Sequence, residues 1–312
     1  MSTFKIKGPI PTAEAQIETL ADYFEVQALC SQNKEISIRD ILEQLLKPSD
    51  EFDIDGIDDQ EDKINSKLES VIEAIGRRIE NSRGNYPFAI EMNGNIVAFK
   101  GFTLFSSYLY VYLLFATRLN MNEHKVFNNI DGTKLFEKLS ALVAQSYFGD
   151  RSSSLVFGTA ATGGFEAKVN NMCRVLNEGG SFVNHNLGDI TENDDALDII
   201  VWKHFEDKLA NKLIGFGQCK TGTSYESYRR DLQPIDFCKK WIRTQFNQEP
   251  IRLFFIADVL ERGKFWKRSL DAGIMFDRIR IMDFLPNNLD EDLKNHICSW
   301  SIDAVSFATN YN

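Results

Sequence analysis

The spacing of hydrophobic positions changes along the chain, and the change separates two stretches. After Thr12, a side chain suited to capping a helix, Ile17, Leu20, Ala21, Phe24 and Ala28 recur at three- and four-residue intervals, which predicts a helix. A second short helix fits Ile38 to Leu46, and a long amphipathic one fits Lys63 to Asn81. Phe88 to Gly101 reads FAIEM-NG-NIVAFKG, and Asn93-Gly94 between two apolar runs predicts a tight hairpin. Residues 102–117, FTLFSSYLYVYLLFAT, form an apolar run of 16 residues. That is short of the ~20 needed to span a bilayer. The run also contains Ser, Thr and Tyr and is followed by Arg118, so a buried helix or a strand pair is expected. One more helix is predicted near Thr133 to Tyr147.

From residue 149 the pattern alternates. Residues 149–164, GDRSSSLVFGTAATGG, are small and polar, and read as a junction. Phe165, Val169, Met172, Cys173 and Leu176 then share one helical face, and Asn177-Glu178-Gly179-Gly180 supplies a helix stop. Ala196 to Phe205 and Leu213 to Lys220 read as strands. Pro234 opens a helix running to about Phe246, and Ile251 to Ala257 and Phe276 to Phe284 are two further apolar strand candidates. The order predicts an α/β unit, a mixed sheet flanked by helices, over residues 149–312. Residues 1–148 are predicted to form a mostly helical accessory domain carrying the β-hairpin.

Charge narrows the choice of partners. The chain has 312 residues, 35 Lys and Arg against 45 Asp and Glu, and a net charge of −10. Residues 1–150 carry 15 basic and 23 acidic side chains, and residues 151–312 carry 20 and 22. A nucleic-acid surface is therefore expected in the second half, and only locally. The acidic run Ser49 to Asp62 does not match a calcium loop, because Gly56 falls at position 4 if Asp53 is position 1. The five cysteines show no CxxC spacing and the four histidines no HExxH pattern, so reduced thiols, a cytoplasmic location and no structural zinc are expected. The N-terminus lacks the apolar core of a signal peptide.

Four residues are candidates for chemistry: Glu166, Asp198, Gln218 and Lys220. Asp198 is an acid within an apolar strand, LDIIV, where burial is costly without a partner or a metal. Gln218 and Lys220 are two apart on the next strand and share a face, while Cys219 points the other way. Glu166 lies at the edge of a helix's apolar face and is expected to look toward the sheet. Asp198, Glu166, the Gln218 amide and the Cys219 backbone carbonyl would offer oxygen ligands to a hard ion such as Mg²⁺, with Mn²⁺ a possible substitute. Lys220 would orient or deprotonate water and offset charge on the phosphate. Cys219 itself reads as a packed side chain. Arg229, Arg230, Lys239, Lys240 and Arg243 follow this strand, and Arg262, Lys264, Lys267 and Arg268 surround Trp266. Such segments suit phosphate contact or base stacking, and equally a solvated face.

These segments, GGFEAKV, DDALDIIVW and GFGQCKTG, resemble the PD-(D/E)xK nuclease superfamily, and within it the Mrr-like restriction endonucleases. The resemblance covers roughly residues 155–285. It implies a restriction-endonuclease-like fold, with Glu166 as the helix acid, Asp198 as the metal-binding Asp, Gln218 in place of the usual Glu, and Lys220 as the catalytic Lys. The sequence departs from the pattern where Ala196 replaces a Gly, and where Gln218 removes a negative charge. The resemblance further implies a DNA substrate, a role in restriction or anti-phage defence, and activation by an ATPase or helicase partner, since no Walker motif is present here. An RNA-directed nuclease and a non-catalytic nucleic-acid-binding or scaffold subunit are the alternatives. Residues 1–148 would serve dimerisation, target sensing or partner docking, with no membrane association.

Overall fold

The computed structural model of the chain describes residues 4–8, 10–12, 15–37, 40–41, 57–91, 96–185, 194–286 and 289–310. Its first part holds α1 (Ile17–Cys30), β1 (Glu35–Ser37), α2 (Ile57–Asn81), β2 (Phe88–Glu91), β3 (Ile96–Phe99) and α3 (Phe105–Arg118). Next come β4 (Val126–Phe127), β5 (Ile130–Asp131) and α4 (Gly132–Phe148). The second part holds β6 (Ser152–Val156), α5 (Phe165–Leu176), β7 (Ile199–Lys203), β8 (Ile214–Lys220) and α6 (Pro234–Trp241). It ends with β9 (Ile251–Ile256), α7 (Arg262–Ala272), β10 (Ile274–Phe276), α8 (Arg278–Asp283) and α9 (Glu291–Thr309). Most of the helix expected over residues 38–46, the acidic residues 49–56 and the Asn93-Gly94 turn lie outside the described residues. The strands flanking that turn do pair antiparallel, Phe88 opposite Phe99 and Glu91 opposite Ile96.

The apolar run is the central helix α3. Leu109 to Ala116 are all fully buried, as a helix apolar on every side must be. Helix α9 packs along it: Ser301 Oγ donates to the Tyr108 carbonyl at 2.9 Å, and the Trp300 indole meets Tyr112 edge-on at 5.2 Å. No helix among the described residues is long and apolar enough to cross a membrane.

The large sheet has the order β10-β9-β8-β7-β6. Strands β6, β7 and β8 pair antiparallel, while β8, β9 and β10 are parallel, which makes the sheet mixed as expected. Side chains alternate between its faces. Ile199, Val201, Cys219, Leu253 and Phe255 enter the core shared with α3, α4 and α9. Ile200, Trp202 and Phe216 face a second cluster built by α5 and α6. Phe254 and Ile256 lie on that same side under α7, with Tyr225 and Leu260.

Three expectations are corrected. The presumed junction contains β6, whose small polar residues are accommodated because it is an edge strand. The strand expected over 276–284 is β10 followed by α8, because the Asp277 carboxylate accepts from Arg280 N at 3.0 Å and starts a helix there. The division at 148/149 is a change of sequence pattern and not a break in packing. Leu20, Phe24 and Phe115 share one core with Val201, Phe255 and Trp300.

A buried ion network joins the same two parts. Asp22, fully buried, accepts from Arg78 Nη1 at 2.7 Å, Arg118 Nε at 2.6 Å, and Arg278 Nη1 and Nη2 at 2.9 Å each. Arg118 continues to Asp258 at 3.2 Å, and Arg78 to Glu25 at 2.6 Å. Tyr110 O–H donates to Glu25 at 2.9 Å. Three guanidiniums and four carboxylates, Glu18 included, thus satisfy one another. Burial opposes ionisation of Asp22, yet the three arginines hold it well below the ordinary carboxylate range.

Candidate active site

Asp198 stands at the entry to β7. Its N–H donates to the Gly217 carbonyl at 2.9 Å, and its own carbonyl accepts from Phe157 N at 2.7 Å and Gly158 N at 2.9 Å. The peptide is therefore fixed between β6 and β8. The side chain folds across the end of β8, where Oδ2 accepts from Cys219 N at 2.7 Å. On β8, Gln218 and Lys220 lie on the face of Phe216.

The second carboxylate is Glu137. This residue lies in α4, and its carboxylate accepts from Thr159 N at 3.1 Å, Thr159 Oγ1 at 2.6 Å and Ala160 N at 2.8 Å. Between it and Asp198 stands Gly158. A Cβ built there would lie 2.7 Å from Asp198 Oδ1 and 2.8 Å from Glu137 Oε2. The two oxygens thus flank one small space, and glycine leaves it open.

Glu166 does not join them. It lies in the first turn of α5, whose buried face is Phe165, Val169, Met172, Cys173 and Leu176, and its side chain is exposed. The expectation that it looks toward the sheet is corrected: position 166 follows the apolar stripe onto the solvent side. What α5 does send to the site is Lys168, whose ammonium donates to the Gly158 carbonyl at 2.9 Å. Glu137 was missed because it lies in an ordinary amphipathic helix ahead of the supposed junction. The one available signal was an acid, LFEKLSALV, within that helix's apolar pattern.

Burial and repulsion between the two carboxylates dominate the electrostatics. Burial, then the neighbouring Glu137 carboxylate, push Asp198 up to about 8, against the Cys219 N–H and Lys220 that pull it down. Burial also raises Glu137, against the hydrogen bonds from Thr159 and Ala160. Gln218 is 1% exposed, and neither its amide oxygen nor its amide nitrogen has a hydrogen-bond partner. Orphaned polar atoms at such depth are uncommon in folded proteins. Lys220 is half exposed at the end of β8, with its ammonium 4.6 Å from the centre of the Tyr228 ring.

Burial lifts the Cys219 thiol well above its usual range, so it is a packed side chain and not a nucleophile at neutral pH. Its N–H is directed at β7 by the bond to Asp198, and the carbonyl of an extended residue points to the same edge. No group of three His, Cys, Asp or Glu side chains converges as a metal cage among the described residues. The two carboxylates and the Cys219 peptide beside Asp198 offer oxygen donors of the kind a hard divalent cation takes. Comparison with protein-family models, curated proteins and solved structures gives no match to this chain.

Proposed function

We propose that this chain is a divalent-cation-dependent endonuclease that hydrolyses DNA phosphodiester bonds, acting as the nuclease component of a restriction or anti-phage defence system. One observation carries the reading. Two largely buried carboxylates, Glu137 and Asp198, flank one space, with an unsatisfied amide and a lysine on the adjoining strand. Burial and the neighbouring Glu137 push the Asp198 carboxyl toward protonation, the setting in which a cation can take the proton's place. The defence setting, and an ATPase or helicase partner, are supported by the sequence resemblance.

Asp198 and Glu137 would hold Mg²⁺, or Mn²⁺ in its place, with the Gln218 amide oxygen and the Cys219 carbonyl as further donors; the bound ion would supply Lewis-acid polarisation of a phosphate oxygen and a more acidic water. Asp198 must lose its proton for this. Lys220 orients the attacking water and offsets the charge that builds on the phosphate. The water oxygen bonds to phosphorus, one P–O ester bond breaks, and the departing oxygen leaves as a hydroxyl. Glu137 is fixed by Thr159 and Ala160, so its position is set before substrate arrives.

Supercoiled plasmid, linear duplex, single-stranded DNA and RNA, each incubated with Mg²⁺, Mn²⁺ or EDTA, test the reading. Cleavage of DNA with either ion, lost in Asp198→Asn and Lys220→Ala, is the expected result. Cleavage that survives Lys220→Ala unchanged overturns the site, and cleavage confined to RNA replaces the substrate. No cleavage with either ion leaves the non-catalytic subunit as the better reading.

A further inference from the structure

We infer that α7 and the turn beneath it form a docking track for an unpaired nucleic-acid strand, with a base stacked on Trp266. This rests on the nuclease reading for its purpose, and on a separate set of residues for its evidence. Trp266 is 76% exposed and Leu270 67%. With Arg262 they recur at four-residue spacing, so all three lie along one face of α7. An indole this open has no role in the core, since α7 packs inward through Ala272 and the half-buried Phe265.

The charge around Trp266 runs against that of the chain as a whole. Arg262 and Lys267 are exposed, and neither meets a carboxylate among the described residues. Lys264 is paired only with its neighbour in sequence, Glu261. By contrast the basic residues of α6 are engaged: Lys240 with Asp195 at 3.2 Å and Lys239 with Asp236 at 3.9 Å. Among the described residues, Arg262 and Lys267 thus stand unpaired by carboxylates on the helix that carries the open indole. In a chain of net charge −10 this patch is complementary to a polyanion.

The track is continuous with the candidate site. The Lys220 ammonium lies over Tyr228, itself 42% exposed. Tyr228 ends a 3-10 turn (Tyr225–Tyr228) that is bound to α7. Arg229 Nη1 donates to the Arg268 carbonyl at 3.4 Å, Arg230 pairs with Asp271 at 2.8 Å, and Arg268 pairs with Glu226. These contacts tie Tyr228, beside Lys220, to the helix that carries Trp266, while Arg229, Arg230 and Arg268 are engaged with Asp271 and Glu226. A single strand offers bases to the exposed Tyr228 and Trp266 rings and phosphates to Lys220, Arg262 and Lys267. A duplex keeps its bases inside, so its occupant would leave the indole bare; the geometry favours the unpaired strand.

The test uses the full chain in EDTA, where no hydrolysis interferes. Trp202, Trp241 and Trp300 are 9%, 1% and 0% exposed, so solvent-exposed tryptophan emission reports on Trp266. Oligothymidylate is expected to quench that emission and to bind more tightly than the same strand in a duplex. Trp266→Ala is expected to weaken binding about tenfold and Trp266→Phe much less. Trp266 is so exposed that neither change should disturb folding. Lys267→Glu should flatten the salt dependence of binding. Quenching as strong by duplex, or binding unchanged in Trp266→Ala, overturns the track. Equal quenching by polyglutamate assigns the surface to an acidic protein and likewise overturns it. If oligothymidylate binds through Trp266 while no metal supports cleavage, the nuclease reading fails and the track stands. If cleavage depends on Lys220 but binding ignores Trp266, the reverse holds.

Discussion

Glu137 comes from α4 and Asp198 from the residue ahead of β7, and their carboxylates meet at Gly158. A Cβ at that glycine would stand under 3.0 Å from an oxygen of each. The obstacle would be two side-chain ends and not backbone, so Gly158→Ala should still fold, at a cost of about 1 kcal/mol. The carboxylates must swing apart to admit the methyl. Affinity for Mg²⁺ or Mn²⁺ is expected to fall about 10–100-fold, as when a supporting group of a metal site is lost. Calorimetric titration of the variant checks this.

The two glutamates separate the sequence-based assignment from the structural one. Glu137→Gln is expected to lower cleavage on the order of 100-fold or more, while Glu166→Gln, in an exposed side chain, should leave it within about twofold. Single-turnover rates on one plasmid substrate decide between them. Equal loss in both variants would return Glu166 to the site.

The difference shows what the chain made legible. The burial of Asp198 and Gln218 could be read because strand alternation is local: a polar residue within an apolar strand needs no knowledge of distant contacts. Helix α5 was placed at Phe165–Leu176 for the same reason, and Asn177 closes it in the left-handed region at φ 50°. Glu137 was not legible because its meeting with Asp198 depends on α4 packing beside an edge strand, and Ser152–Val156 carries too few apolar residues to announce that strand. The single core was hidden likewise. Asp22 and Arg278 are 256 residues apart in sequence, and nothing in either segment names the other.

The pH dependence of metal binding follows from Asp198. Its folded value near 8 lies above the ordinary carboxylate range. Between those two values the native chain holds a proton that the unfolded chain has released, so the metal-free protein should lose stability as pH rises through this window. A cation must displace the same proton. Below about pH 8 the apparent affinity is expected to rise about tenfold per pH unit and to level off above it. Calorimetry in two buffers of different ionisation enthalpy should show close to one proton released per ion at neutral pH. Pre-ionised carboxylates would release none.

The arginine network makes a separate claim about stability. Arg278→Met leaves Asp22 facing Glu25 with one guanidinium fewer in a water-free core. An uncompensated buried charge costs about 3–5 kcal/mol. Because Asp22 is held below the ordinary range, its contribution is fully present above that range and is lost only as pH falls toward its depressed value. The difference in stability between wild type and Arg278→Met should therefore be constant at neutral pH and shrink in strong acid. Urea unfolding at several pH values measures it, and high salt should change it little, since buried pairs are poorly screened.

Gln218 provides the last test, because its two unpartnered atoms have opposite consequences for folding and for function. Each buried polar atom without a partner costs about 1–3 kcal/mol. Gln218→Leu removes both and should raise the melting temperature of the metal-free protein while abolishing cleavage. Gln218→Glu instead puts a carboxylate at a buried position two residues from Lys220 on β8. Without cation that variant should be less stable than wild type at neutral pH, and Mg²⁺ should stabilise it by more than it stabilises wild type. If the amide were only a packing residue, leucine would leave cleavage intact and the glutamate variant would gain nothing from the ion. Thermal unfolding with EDTA and with Mg²⁺, read beside plasmid cleavage, separates a stability cost retained for chemistry from an accident of packing.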